Sequence, residues 1–62
     1  MKRFVIELAN DIISRDAKNE LMRPEVRDER KTTIERFVKI CNDGLITDYE
    51  AVYGISRFQL GW

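Results

Sequence analysis

Asn42-Asp43-Gly44-Leu45-Ile46-Thr47-Asp48-Tyr49-Glu50 sets the end of one helix against the start of another. Gly44 suits the position that closes a helix, because a left-handed backbone costs glycine little and meets a steric clash in other residues. Leu45 follows it, placed to fold back on the last turn. Thr47-Asp48-Tyr49-Glu50 is then a capping box: the Thr47 hydroxyl accepts from the Glu50 N–H, and the Glu50 carboxylate accepts from the Thr47 N–H. Ile46 and Ala51 hold the staple positions on either side, and Asp48 and Glu50 suit the positive end of a helix dipole. A helix that ends near residue 42 and another that starts near residue 48 leave room only for a sharp reversal.

Upstream, Pro24 marks a second boundary. Proline is tolerated in the first turn of a helix and pushes the residue before it, Arg23, out of the helical region. Val26, Arg30, Ile34, Phe37 and Cys41 then follow a helical stripe, with Glu35 and Lys39 in the favourable i,i+4 order. Before the proline, Phe4, Val5, Ile6, Leu8, Ala9, Ile12, Ile13 and Ala17 cover a sector of about 180° on a helix. The adjacent pairs Val5-Ile6 and Ile12-Ile13 rule out strand alternation. Downstream, Gly54 either closes the third helix or lies inside it. In the second case Val52, Ile55, Gln59 and Trp62 form one stripe. The spacing predicts an all-α chain: an antiparallel hairpin (about 2–21 and 24–42), a shorter third helix (about 48–57) and a three-helix mini-bundle. Residues 1–62 form a single small helical domain whose core must be thin, since a chain of this size buries only roughly 60% of its unfolded surface.

Composition narrows the chemistry. The chain has no histidine, the commonest general base and metal ligand, and one cysteine, which permits neither an internal disulfide nor a zinc-type site. Neither a Gly-rich phosphate loop nor a Gly-x-Ser-x-Gly turn is present, and Asn42, Asp43, Asp48 and Glu50 do not have the spacing of a calcium loop. Cys41 falls in the last turn of the second helix, where the dipole disfavours thiolate, on the same stripe as Phe37; it reads as a small core residue. No catalytic role, cofactor or metal is expected. The apolar run after Met1-Lys2-Arg3 stops at Glu7, too early for a signal peptide, and no stretch approaches the ~20 apolar residues of a membrane span. A lone thiol then suits the reducing cytoplasm, and no membrane partner is expected.

Two surfaces remain as candidates. Arg23, Arg27, Arg30 and Lys31 recur along the first half of the second helix, either as a patch for an anionic ligand or as partners for Asp16 and Glu20 at the end of the first. A helix-turn-helix centred on Gly44 would have Ile40 where a small residue is wanted. It would also present Asp48 and Glu50 to phosphates, and the net charge of zero adds no attraction. The apolar surface is the stronger candidate. The first helix is apolar over more surface than a hairpin covers, and Tyr49, Tyr53, Phe58 and Trp62 crowd the C-terminal third. Phe4, Leu8, Tyr49, Tyr53, Phe58 and Trp62 are the candidate protein interface. A homodimer is expected, with Phe4, Leu8, Phe58 and Trp62 near its contact. The predicted function is a small non-catalytic protein–protein interaction module, a regulator or inhibitor of a larger partner. Its short, neutral layout is similar to accessory reading frames of phages and plasmids, a likeness of size and composition that no motif carries. The alternative is a nucleic-acid-binding regulator that uses the basic patch.

Overall fold

Two reversals set the architecture, one at Asn19–Arg23 and one at Asp43–Thr47. The computed structural model describes residues 3–59: α1 spans Arg3–Lys18, α2 Pro24–Asn42 and α3 Asp48–Gln59. Each helix packs on the other two, so the all-α three-helix bundle expected from the sequence is the fold. Asp16 and Phe58, near the ends of α1 and α3, both meet Arg30 near the start of α2. The hairpin is therefore antiparallel, and α3 runs parallel to α1.

The second reversal is built as the sequence dictates. The Leu45 N–H donates to the Ile40 carbonyl (2.9 Å) and the Gly44 N–H to the Cys41 carbonyl (3.1 Å), the paired bonds of a Schellman motif, with Gly44 at φ +82°. Only the backbone of Leu45 folds back; its side chain is 73% exposed. The capping box closes in both directions. The Thr47 N–H donates to Glu50 Oε1 (2.9 Å), and the Glu50 N–H donates to Thr47 Oγ1 (3.1 Å). These bonds, from the Thr47 backbone first and its hydroxyl second, hold the Glu50 carboxyl below its usual range.

The first reversal corrects the expected boundary. α1 stops at Lys18, not near residue 21, because Asn19 offers the chain a competing turn. Asn19 Oδ1 accepts from the Leu21 N–H (3.0 Å), and the Asn19 carbonyl accepts from the Met22 N–H (3.2 Å). Lys39 also chooses a different partner, pairing with Asp43 (3.1 Å) at the helix end.

The core is thin. Val5, Ala9 and Ile12 of α1, Ile34 and Cys41 of α2, and Ala51 and Ile55 of α3 are buried, and Leu8, Ile13, Phe37, Val38, Ile46, Val52 and Phe58 pack around them. Only the middle of the apolar sector of α1 is covered, and Phe4 and Ile6 at its margins are exposed. α3 continues through Gly54 to Gln59, beyond the expected end near residue 57. Gly54 is buried against Phe37: a Cβ there would lie 2.5 Å from the phenyl ring, so its small size permits the α2–α3 approach. By contrast, nothing lies within 4 Å of a Cβ built on Gly44.

The two glycines should respond to alanine for different reasons. Gly44→Ala is expected to cost about 1 kcal/mol through backbone strain alone. In an open helix Gly→Ala would stabilise by up to about 1 kcal/mol, whereas Gly54→Ala is expected to destabilise by roughly 1–3 kcal/mol because the Phe37 ring must leave its core contacts. Adding Phe37→Leu to Gly54→Ala should recover part of that loss in a urea-unfolding cycle. Stabilisation by Gly54→Ala alone would show that the ring yields freely.

Candidate functional site

Two cations of α2, Arg27 and Arg30, are committed to the fold. Arg30 faces inward from the second turn, and its guanidinium grips the Asp16 carboxylate in a fork: Nε to Oδ2 at 2.7 Å and Nη2 to Oδ1 at 3.2 Å. Nη2 also donates to the Phe58 carbonyl (2.7 Å), and the guanidinium lies over the Phe58 ring, 5.2 Å from its centroid. The two charged side chains are only 13% and 9% exposed. One side chain thereby joins all three helices, a geometry that the planar, multidentate guanidinium provides and an ammonium does not. Asp16 lies inside the apolar sector of α1 because its partner waits there.

Arg27 closes the end of α1. Its Nε donates to the Asp16 carbonyl (3.2 Å), and its Nη2 reaches the carbonyls of Met22 (3.4 Å) and Asn19 (3.5 Å). These carbonyls belong to the final turn of α1 and the chain just beyond it, where few backbone donors remain. Arg23 and Lys31 are exposed. The expected anionic-ligand patch of Arg23, Arg27, Arg30 and Lys31 is therefore not a set of free cations. The internal pairing with Asp16 is present. Glu20 is exposed and forms no ion pair among the described residues.

The apolar candidates separate into two ends. α1 and α3 run parallel, so Phe4 lies near the α2–α3 turn, whereas Phe58 sits beside Asp16, twelve residues or about 18 Å further along α1. Phe4, Leu8 and Phe58 do not form one patch. Leu8 and Phe58 are half-buried against the core, and Trp62 lies outside the described residues. Tyr49 and Tyr53, one turn apart on α3, are 79% and 63% exposed, and Leu45 precedes them in the turn. Leu45, Tyr49 and Tyr53 are thus exposed in succession along the α2–α3 turn and the first half of α3, and Phe4, 49% exposed, starts α1 at the level of that turn.

The opposite end carries a feature that the sequence reading missed. An open groove of about 730 Å³ runs between the first half of α2 and the second half of α3, lined by Met22, Val26, Glu29, Arg57 and Phe58 among others. Leu21, which precedes Met22 in the chain, is 95% exposed. The available signal was the apolar pair Leu21-Met22 in a connection that should be polar.

Cys41 is a buried core thiol, as its stripe implied. Its Sγ donates to Asp48 Oδ1 (3.2 Å), so Asp48 at the start of α3 also anchors the end of α2. Burial, followed by the hydrogen bond to the Asp48 carboxylate and its negative charge, raises the thiol above its ordinary 9.0. Among the described residues no three acidic, cysteine or histidine side chains are grouped to hold a metal ion, and no helix is long and apolar enough to cross a membrane. No protein-family model, curated protein or solved structure matches the chain.

Removing one member of the Arg30–Asp16 pair should strand a buried charge. Arg30→Ala or Asp16→Ala is expected to cost about 3 kcal/mol or more, and the paired change Asp16→Leu/Arg30→Met should recover most of it. A single-variant cost below about 1 kcal/mol in urea titration would mean that water reaches the pair.

The raised thiol gives a pH dependence of definite sign. Neutral Cys41 is favoured in the folded chain, so its contribution is complete below 9.0 and is lost as pH rises beyond that value toward the folded one. Stability should fall on the alkaline side, and Cys41→Ala should lack this component. Iodoacetamide, followed by mass spectrometry, should leave native Cys41 unlabelled at mildly alkaline pH and label it fully in urea. Rapid native labelling would contradict the buried, hydrogen-bonded thiol.

Proposed function

We propose that this chain is a small non-catalytic protein–protein interaction module, self-associating and acting in the cytoplasm as a regulator or inhibitor of a larger protein. The observation that carries this reading is the succession of exposed Leu45, Tyr49 and Tyr53 along the α2–α3 turn and α3, in a bundle whose core is so small. Large side chains exposed on one helical face are costly to leave in water, and tyrosine is enriched where proteins meet. Tyrosine suits such a surface because its ring buries area while its hydroxyl retains a partner. Tyr49 and Tyr53 share one face of α3 only when that helix is formed.

The alternative, a nucleic-acid-binding regulator, has weaker support. Of its four cations, Arg27 and Arg30 are engaged internally, and the formal charge of zero offers no general attraction to phosphate.

Affinity capture from cells that produce the protein tests the leading reading when wild type is compared with Tyr49→Ser/Tyr53→Ser. Both positions are exposed, so circular dichroism should show an unchanged fold. A partner protein held by wild type and lost from the double variant is the expected result. Identical recovery by both forms would remove the aromatic end from the interaction.

A further inference from the structure

We propose that the groove between α2 and α3 is the surface on which two copies of this chain meet about a two-fold axis. The proposal rests on the self-association in the functional reading above and assigns it to a place other than the aromatic end. A two-fold contact uses the same patch twice, so the patch must complement itself. This one carries both halves of the required match. Its apolar wall includes Met22, Val26 and Phe58, and Leu21, the residue before Met22 in the α1–α2 connection, is 95% exposed. A leucine held out in water, next in sequence to a residue that lines an apolar groove, is matched when each copy inserts Leu21 into the groove of the other.

The charges obey the same symmetry. Glu29 on α2 and Arg57 on α3 both line the groove, and neither enters an ion pair among the described residues. One acid and one base flanking an apolar centre allow a two-fold operation to set Glu29 against Arg57 of the partner subunit, twice per dimer. A patch of single sign would repel its copy. A foreign partner could fill the groove, but it would have to supply both the plug and the opposite charges that this chain already holds. Arg30, also in the lining, is occupied by Asp16 and Phe58 and stays within its own bundle. The aromatic end remains free in this arrangement.

Sedimentation equilibrium of the full chain over a hundredfold concentration range tests the proposal, with the fold of each variant checked by circular dichroism. Wild type should dimerise at micromolar concentration. Glu29→Arg and Arg57→Glu, each creating two like-charge contacts, should each weaken the dimer by about tenfold or more, as should Leu21→Ser. The double reversal Glu29→Arg/Arg57→Glu restores opposite signs and should return affinity to within about threefold of wild type. If single reversals weaken the dimer and the double reversal does not restore it, the two-fold pairing is wrong. A dimer indifferent to all of these changes overturns the groove assignment while leaving self-association standing on another face. A monomer throughout overturns both.

Discussion

Arg30 is the constraint on which the rest of the bundle depends. Its guanidinium is shared between the Asp16 carboxylate on α1 and the carbonyl and ring of Phe58 on α3, and it enters from α2. Among the described residues, the fully buried apolar side chains include none larger than isoleucine. Such a core supplies a non-directional driving force that tolerates sliding, whereas the Arg30 fork has one geometry. Replacing a buried pair with apolar side chains is often neutral in stability. Its effect here lies in register, because any docking that separates Asp16 from Arg30 leaves two charges without partners in a dry site. The second polar link, Cys41 to Asp48, fixes the other end of α2 to the start of α3.

Local chemistry made the boundaries legible. Gly44, the Thr47–Glu50 box and Pro24 act within a few residues of themselves, so their outcome can be read without knowing what surrounds them. Errors came where tertiary contacts or competing turns decide. Gly54 has the identity of a helix stop, yet it serves a crossing with Phe37, a residue of another helix that only the packed bundle brings near. Asn19 ended α1 early by offering an alternative turn within an otherwise helical pattern. The i, i+4, i+7 spacing of Arg23, Arg27 and Arg30 shows a shared side, and it cannot show whether that side faces water or Asp16. The placement of the aromatic candidates was hidden for a related reason: counting aromatics ignores that parallel α1 and α3 carry Phe4 and Phe58 to opposite ends.

This division of charge shapes what the protein has to offer a partner. Arginines that might have met phosphate are turned inward, while apolar side chains that a larger core would have absorbed stand in solvent at both ends. On the proposed reading these ends have different tasks. The groove end joins copies, and the end bearing Tyr49 and Tyr53 meets the target. A two-fold dimer would then present two target surfaces, so that linkage as well as contact quality would set the strength of binding. Since Arg30 holds α3 to the other two helices, losing it would disturb the face that carries Tyr49 and Tyr53.

The most direct test of the hub is side-chain hydrogen exchange of arginine Nε–H groups, followed by nitrogen-15 NMR on the native protein. The Arg30 Nε–H, bonded to Asp16 in a site 13% exposed, should exchange only through unfolding of the bundle, while the Nε–H of exposed Arg36 should exchange at the rate of a free side chain. Arg30 should also be silent when sulfate or heparin is added. Exchange at Arg30 as fast as at Arg36, together with a resonance that moves on adding either anion, would show that the guanidinium is free for a ligand and that the three helices are held by something else.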